Sequence, residues 1–309
     1  RPHRATAPPP ASRPKLQRWL KLKGARAGQL QGIDPRFALA RFNSVTGVMG
    51  SGKTTLLFRL LDPVLRGRVD PALLEELKGA NHVDHVVRID SSPPSRVGRR
   101  VIPAAIVRAY DDIRAAFAET AEARARGFGS GKFSLHVDGG RCAHCEGTGV
   151  QSIDLSFLPD VLIPCPACRG SRFRAEVLEV TFRGKSIAEV LDLTAREAFA
   201  FLRDRPRARH KLRPLLELGL DAVPLGRPVV LLSEGERQRL KLASHLALTP
   251  GAAVRSAAGP KTVYLIEDPS AGLHPEETAK VLTCLRSLVD LGHTVIATTN
   301  DPLVLGESD

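Results

Sequence analysis

The sequence predicts an α/β fold in which a parallel-sheet core is split by an inserted helical and metal-binding unit. Three observations predict it. A glycine-rich loop runs Gly47-Val-Met-Gly50-Ser51-Gly52-Lys53-Thr54, between a strand-like stretch and the helically spaced TTLLFRLLDPVL. The tail from Leu232 alternates a helix, the apolar strand TVYLIED, the helix EETAKVLTCLRSLVDLG and the strand HTVIATTN, the grammar of a parallel sheet with crossover helices. Between them, residues from about 76 to 228 are different in kind, with helices flanking a glycine- and cysteine-rich middle.

Taken in order, residues 1–14 form a linker rich in proline, alanine and arginine, too stiff and polar to join a core, so order is expected to begin near Pro14. Residues 15–75 hold the first part of the core, where WLKLKGARAGQLQGI and FALARFNSVTGVMG read as short strands. The insertion spans 76–228, with a helix over IVRAYDDIRAAFAETAEARARG, a metal module at about 133–182 and a helix from Ile187 to Leu202. Residues 229–309 complete the core, and no repeat of 20 to 50 residues is visible.

Composition narrows the classes of function. At 309 residues, 43% hydrophobic and 25% charged, the chain can bury a full core. One tryptophan, two tyrosines and 5% aromatic content argue against a β-sandwich or an aromatic-stacking RNA module. A formal charge of +12 favours a polyanionic partner, DNA or RNA, through phosphate neutralisation and counterion release. No run of 18 apolar residues is present and residues 1–14 lack the apolar core of a signal peptide, so a cytosolic protein without a membrane partner is expected. The chain begins at Arg1 and contains only Met49, which reads as a piece of a longer polypeptide.

The loop at Gly47 matches GxxxxGK[ST] in the strand-loop-helix context that the pattern requires. Its glycines, Gly47, Gly50 and Gly52, let backbone N–H groups of the loop, Ser51 and Thr55 included, turn inward on phosphate oxygens. Lys53 reaches the β- and γ-phosphates of ATP, and the Thr54 hydroxyl can ligate Mg²⁺. Downstream, Leu232-Ser233-Glu234-Gly235-Glu236-Arg237-Gln238 looks like the signature of ABC ATPases, a turn whose serine and amides touch a γ-phosphate held by an opposing P-loop. Val263-Tyr-Leu-Ile-Glu267-Asp268 then looks like a Walker B strand ending in acids. Each segment alone could be an amphipathic helix start or a buried strand; their order and spacing agree with ABC proteins.

Cys142-Ala-His-Cys145 and Cys165-Pro-Ala-Cys168 have the spacing of a closed tetrahedral Cys₄ zinc site. Four thiolates leave no open position, so the metal is structural, replacing a core that so small a module cannot build. Glycines at 147, 149 and 170 supply tight turns, His144 reads as solvated, and Cys284 falls in a helical apolar pattern as core. Between the pairs, GVQSIDLSFLPDVLIPC alternates around a Leu-Pro-Asp turn, a hairpin that packs or approaches DNA. Arg96, Arg99, Arg100, Arg124, Arg126, Lys132 and Arg141 cluster nearby, either as a solvated face or as phosphate contacts.

A P-loop followed, before the signature, by a CxxCxGxG and CxxC pair resembles the second half of the UvrA family. RGFGSGKFSLHVDGGRC, FLPDVLIPCPACRGSRFRAEVLEV, FRGKSIAEVLDLT and GLHPEET extend the resemblance over nearly the whole chain. The resemblance implies a bacterial protein that binds damaged duplex DNA in an ATP-dependent manner, pairs with an opposing ABC half and loads a helicase partner, UvrB. Departures accompany it. Ser91 stands where the family has a glutamine near the nucleotide, Glu234 where a glycine is usual, Glu267-Asp268 where Asp-Glu is usual, and Asn300 where a histidine follows the last strand. Glu267, Asp268 and Asn300 are the catalytic candidates that arrange the attacking water, so ATP hydrolysis is expected to be slow. Three readings stand: a repair ATPase, a paralogue protecting against DNA-intercalating drugs, and a non-enzymatic zinc and DNA-binding module like the cysteine-rich region of DnaJ-type chaperones.

Overall fold

The computed structural model of the chain describes residues 18–68, 70, 72–90, 98–153, 161–248 and 261–309. The linker at 1–14, Ser91, Arg96 and the hairpin tip at 154–160 lie outside the described residues. The core sheet has four parallel strands in the order Phe42–Val45, Thr294–Thr298, Thr262–Glu267 and His85–Ile89. Register is continuous across it: Val295 faces Phe42, Tyr264 faces Val295, and Val87 faces Tyr264.

The two central strands are buried along nearly their whole length, as a parallel sheet covered on both faces requires. Their side chains alternate between two cores. On one face Val263, Leu265 and Ile296 meet Leu56, Leu57, Leu60 and Leu61 of the helix that follows the glycine loop, together with an antiparallel sheet in which Trp19–Lys23 pairs with Arg36–Ala38 and Glu76–Lys78. On the other, Tyr264, Ile266, Val295 and Ala297 join Val281, Leu285 and Leu288 of helix Pro275–Asp290 and the interior of the inserted helical body. The helix after the loop is wound with i→i−5 spacing over Thr55–Leu61, the Asp62 N–H donating to Leu57 O, before an α-helical turn at Asp62–Leu65. Such spacing is concentrated at functional sites.

The inserted body is built of short capped helices. Where the sequence suggests one helix from Ile187 to Leu202, there are two, Ile187–Asp192 and Ala195–Phe201. Each begins with a capping box, Ser186 with Glu189 and Thr194 with Glu197. The backbone freed at the break is bonded by a neighbouring segment, Leu225 N–H to Leu193 O and Ala195 N–H to Val223 O. The expected helix around 106–127 is likewise divided into Pro103–Ile106, Ala109–Ala118 and Ala121–Ala125, the last capped by Thr120. Phe117, Phe133, Phe182 and Phe201 form a chain of ring contacts with centroids 5.4–5.9 Å apart. Helix Pro206–Glu217 packs beside helix Glu234–Leu248, which carries the signature, so body and core share one interior.

The strands Glu76–Lys78 and His85–Ile89, which the sequence reading groups with the insertion, pair inside the two core sheets. The reason is visible in their composition: one is short and polar, the other an edge strand. The chain leaves the core only after Ile89, and a chain of ion pairs marks that exit. Lys241 of the signature helix donates to both the side chain (2.7 Å) and the carbonyl (2.9 Å) of buried Asp90. Asp90 also accepts from Arg88 Nε at 2.6 Å, and Arg88 lies 4.4 Å over the Phe58 ring and 3.9 Å from Asp62. Three segments of the chain are tied through Asp90 and Arg88. Removing one partner from a buried pair costs ~3–5 kcal/mol, chiefly through the charge left behind. Because Arg88 still holds Asp90, Lys241→Met is expected to cost about 2–3 kcal/mol in urea unfolding; a loss below about 0.5 kcal/mol would show the tie to be dispensable.

Candidate functional site

Parallel strands bring every loaded residue to one edge, beyond their carboxyl ends. Strand Phe42–Val45 runs into the glycine loop, in which Gly50 (φ +80°) and Gly52 (φ +95°) adopt left-handed backbone that favours glycine. A Cβ at Gly52 would lie 2.8 Å from Leu30 Cδ2, so the position is also sterically closed. Val48 and Met49 stand almost fully exposed at the loop tip. Lys53 Nζ donates to the carbonyl oxygens of Gly47 (2.5 Å) and Val48 (3.0 Å), which folds it over the loop.

The second edge element is the acidic end of strand Thr262–Glu267. The Thr54 hydroxyl donates to Glu267 Oε1 at 3.1 Å, joining the group expected to ligate Mg²⁺ to the first of the Walker B acids. Next to it, Asp268 adopts φ +34° and its N–H donates to Thr298 O at 2.9 Å. Burial pushes its carboxyl above the ordinary aspartate range; the Ser270 hydroxyl and Lys53 lower it, and the charges of Asp301 and Glu267 raise it further. Asn300, past the last strand, accepts at Oδ1 from the Thr46 hydroxyl (3.1 Å) and from Gly47 N–H (3.4 Å), so it anchors the start of the loop.

The signature begins as a capping box. Ser233 Oγ accepts from Glu236 N–H at 3.2 Å while Glu236 Oε2 accepts from Ser233 N–H at 2.7 Å. Ser233 and Glu234 are exposed. A Cβ at Gly235 would approach Ala271 O to 2.9 Å, and Gln238 donates through Nε2 to the Glu267 carbonyl. Signature, Walker B strand and the loop after it are therefore fixed to one another. Gln238, Thr46 and Gln29, whose Nε2 donates to Gly50 O at 2.8 Å, escape the sequence reading: nothing in a lone glutamine or threonine marks it as a loop support.

The four cysteines converge as expected. Cys142, Cys145, Cys165 and Cys168 have Sγ atoms all within 4.8 Å of one another, and the first three are buried. Tetrahedral Zn–S bonds of ~2.3 Å would set thiolates about 3.8 Å apart, and Cys145 and Cys168 are 3.7 Å apart. Backbone N–H groups already point at sulfur, Gly149 at Cys145 (3.3 Å) and Arg172 at Cys168 (3.4 Å). Burial pushes the Cys168 thiol up to about 12, so a metal must displace protons to bind there. The donor set fits zinc. His144 lies outside the cluster, exposed beside Gln151, and Cys284 is buried in helix Pro275–Asp290.

From the Gly149–Cys165 link, strands Val150–Ile153 and Val161–Pro164 run antiparallel as a hairpin. The basic residues near it are partly neutralised within the chain. Arg126 pairs with Glu122 and Glu179, Lys132 with Glu176, and Arg141 with Asp138; Arg124 is exposed at the end of its helix.

No family model matches the chain. Over 297 residues, 94% of its length, it is 43% identical to UvrABC system protein A of Thermus thermophilus. Over 306 residues, 97% of its length, it is 40% identical to UvrABC system protein A of Bacillus subtilis. The crystal structure of UvrA2 from Deinococcus radiodurans superposes on 99% of the chain with a TM-score of 0.88 and 39% identity, and this chain covers 36% of that one. The chain spans 30–31% of the length of the curated relatives it matches.

Metal analysis of the reduced protein is expected to give one zinc per chain, and Cys165→Ala to lose it. Metal content unchanged by that substitution would refute the assignment.

Proposed function

The chain belongs to the UvrA family, and from that premise we propose that it is the ATP-binding, DNA-contacting portion of a damage-recognition subunit of nucleotide-excision repair. The observation that carries the ATPase reading is the contact between Thr54 and Glu267, which joins the end of the glycine loop to the Walker B acids. The curated relatives bear the repair-system name, which favours repair over drug protection. Lys53 and the signature are left unexplained by a chaperone-like zinc module.

The site residues divide the work as follows. Loop N–H groups and Lys53 bind the β- and γ-phosphates of ATP, with Ser51 and Thr55 beside them. Thr54 and Glu267 would hold Mg²⁺, which would supply positive charge against the phosphates. Asp268 accepts a proton from the water that attacks the γ-phosphorus while the bond to the departing ADP oxygen breaks. Asn300 holds the loop start in place. Ser233 and Gly235 serve the nucleotide of an opposing ABC half, either the N-terminal half of the same protein or a second copy. In sequence, Ser91 takes the place of the glutamine that the family has near the nucleotide. Zinc in the four-cysteine site fixes the module from which the hairpin projects toward duplex DNA, and UvrB is the partner to which the complex passes it. The protein works in the cytoplasm; among the described residues no helix is long and apolar enough to cross a membrane.

Turnover is slow on this reading. Aspartate at 268 is one methylene shorter than glutamate, ~1.5 Å, and a misplacement of about 1 Å in a catalytic group can cost on the order of 10²-fold. The raised Asp268 carboxyl acts the other way, since a stronger base accepts the proton more readily, and the lost reach opposes it. Glu234 at the start of the signature helix also brings negative charge toward a phosphate. Two experiments test the proposal.

In a chain paired with an opposing half, Asp268→Glu with Asn300→His is expected to raise ATP turnover by at least tenfold. In the parent, turnover should fall on acidification at a pH above the ordinary aspartate range, because the base loses its charge as pH drops through the raised value. No gain, or a parent already at ~10 s⁻¹, would overturn the slow-turnover reading.

Duplex DNA binding is expected to weaken steeply with salt, with log K falling by ~0.9 per phosphate neutralised for each tenfold rise in salt. Deleting Val150–Pro164 should reduce preference for distorted duplex while largely sparing general affinity. Salt-insensitive binding would remove DNA as the partner, and an equal loss of both affinities would remove the hairpin as the discriminating element.

A further inference from the structure

The two cysteine knuckles are related by a local pseudo-symmetry that breaks at one residue. In the first, Cys145 is followed by Glu146 and Gly147, at φ +49° and +84°, and then by Gly149 at +77°; in the second, Cys168 is followed by Arg169 and Gly170, at +51° and +90°, and then by Arg172 at +74°. Gly149 and Arg172 do the same backbone work. Each N–H donates to the sulfur of its own knuckle, and each carbonyl accepts from the first cysteine of the other, Gly149 O from Cys165 N–H at 2.9 Å and Arg172 O from Cys142 N–H at 2.8 Å. Left-handed backbone favours glycine and strains a residue with a Cβ. An arginine at the second position is therefore not explained by the knuckle itself.

Its side chain supplies the explanation. A Cβ at Gly149 would lie 2.9 Å from Arg172 Cγ and 3.1 Å from Nε, so the side chain runs directly over the first knuckle. Further out, a Cβ at Gly226 would lie 3.0 Å from Arg172 Nη1, and Gly226 has no left-handed φ, so its missing side chain there is a matter of space. Burial lowers the proton affinity of the guanidinium, and the Asp192 carboxylate acts against that shift. Beside it, a cleft of about 470 Å³ lined by Arg169, Ser171, Arg172, Glu189, Leu191 and Asp192 separates the second knuckle from helix Ile187–Asp192. The arginine lines this cleft beside the apolar contacts that join Phe173 and Val177 to Ile187, Val190 and Leu191 in one core. Gly226 N–H is in turn bonded to Leu191 O at 2.7 Å, and the chain from Gly226 passes through Val229, whose N–H donates to Val101 O, to Ser233 at the head of the signature helix.

We propose that Arg172 is a positioning residue: its guanidinium, threaded between Gly149 and Gly226 toward Asp192, registers the metal module against the segment that leads into the ATPase signature. A metal-filled knuckle holds the arginine's backbone, and the side chain carries that fixed position to residues 191–193 and 223–226. The functional consequence, that DNA held at the metal module alters nucleotide turnover through this link, rests on the ATPase and DNA reading above.

Two variants approach the link from opposite sides. Arg172→Gly removes the side chain while relaxing the backbone, and Asp192→Asn removes the opposing charge without touching the knuckle. Both are expected to keep one zinc per chain by metal analysis. Amide hydrogen exchange in residues 187–193 and 223–226 should accelerate by about tenfold in Arg172→Gly and by a smaller factor in Asp192→Asn. With an opposing half present, the change in ATP turnover on adding duplex DNA should shrink at least fivefold, while turnover without DNA and DNA affinity stay within twofold. Loss of zinc in Arg172→Gly would overturn the proposal by making the residue a support of the metal alone. Parental exchange rates in both variants, or an unaltered DNA response with accelerated exchange, would overturn it as well. Zinc content and exchange require neither nucleotide nor DNA, so a parent that fails to bind either would refute the functional reading while leaving the link to be decided by exchange.

Discussion

The constraint on which the site depends is the parallel register of the four core strands. Parallel strands all deliver their carboxyl ends to one edge, and here each end is followed by a residue with chemistry to do: the glycine loop after Val45, Asp90 after Ile89, Asp268 after Glu267 and Asn300 beyond Thr298. No long-range search is needed to assemble them. The register that buries Leu265 and Ile296 against the loop helix is the same one that sets Glu267 within reach of Thr54. Shifting one strand by one residue would move its buried set to the other face, so core packing and site geometry are specified by the same pairing.

The inserted body is held to that core by two kinds of interaction with different consequences. Apolar contact is extensive, and helix Glu234–Leu248 belongs to the interior of both, but such contact tolerates small sliding. The buried tie of Lys241, Asp90 and Arg88 does not, because a carboxylate at this depth must keep its partners. It fixes the signature helix to the end of the edge strand His85–Ile89, across the sheet from the strand that enters the glycine loop. Arg172 supplies a further fixed point, beside the cleft between the second knuckle and helix Ile187–Asp192. On the proposal made for Arg172, the position of the metal module would reach the signature through a few charged side chains set in a continuous apolar core.

Much of this was legible in the sequence, for reasons that differ by element. The glycine loop, the acidic end of the Walker B strand and the paired cysteines are local patterns whose spacing is itself the chemistry, and the structure brings the members of each together. The pairing of Glu76–Lys78 and His85–Ile89 with the core sheets was not legible, because the first is three residues long and the second, among the described residues, has one neighbour in its sheet, and neither displays the apolar run that marked Thr262–Glu267. The break at Leu193 was written in the sequence as Thr194-x-x-Glu197, but an apolar pattern that continues across it conceals the second cap. Basic residues gave the weakest signal: Arg126, Lys132 and Arg141 look like a phosphate-binding cluster in sequence and turn out to face glutamates and an aspartate brought from other segments or from the turn before.

Asp268 concentrates costs that the remainder of the core avoids. It is a non-glycine residue at φ +34°, a conformation worth of order 1–3 kcal/mol of strain, and its carboxyl is partly buried beside two other acids. The sign of the linkage follows from the raised folded value. A carboxyl that is harder to ionise in the folded chain than in the unfolded one favours folding when protonated. That advantage is lost as pH rises from the unfolded value through the folded one, so the chain carries the full penalty at neutral pH. Replacing the acid by a neutral residue of the same shape would remove the penalty, and a position selected for stability alone would not keep it. What keeps an ionised carboxylate here is its place: one residue beyond Glu267, facing Lys53, at the edge where the loop presents its N–H groups. Strain, burial and like charge converge on the single residue whose proton affinity the hydrolysis of ATP would use.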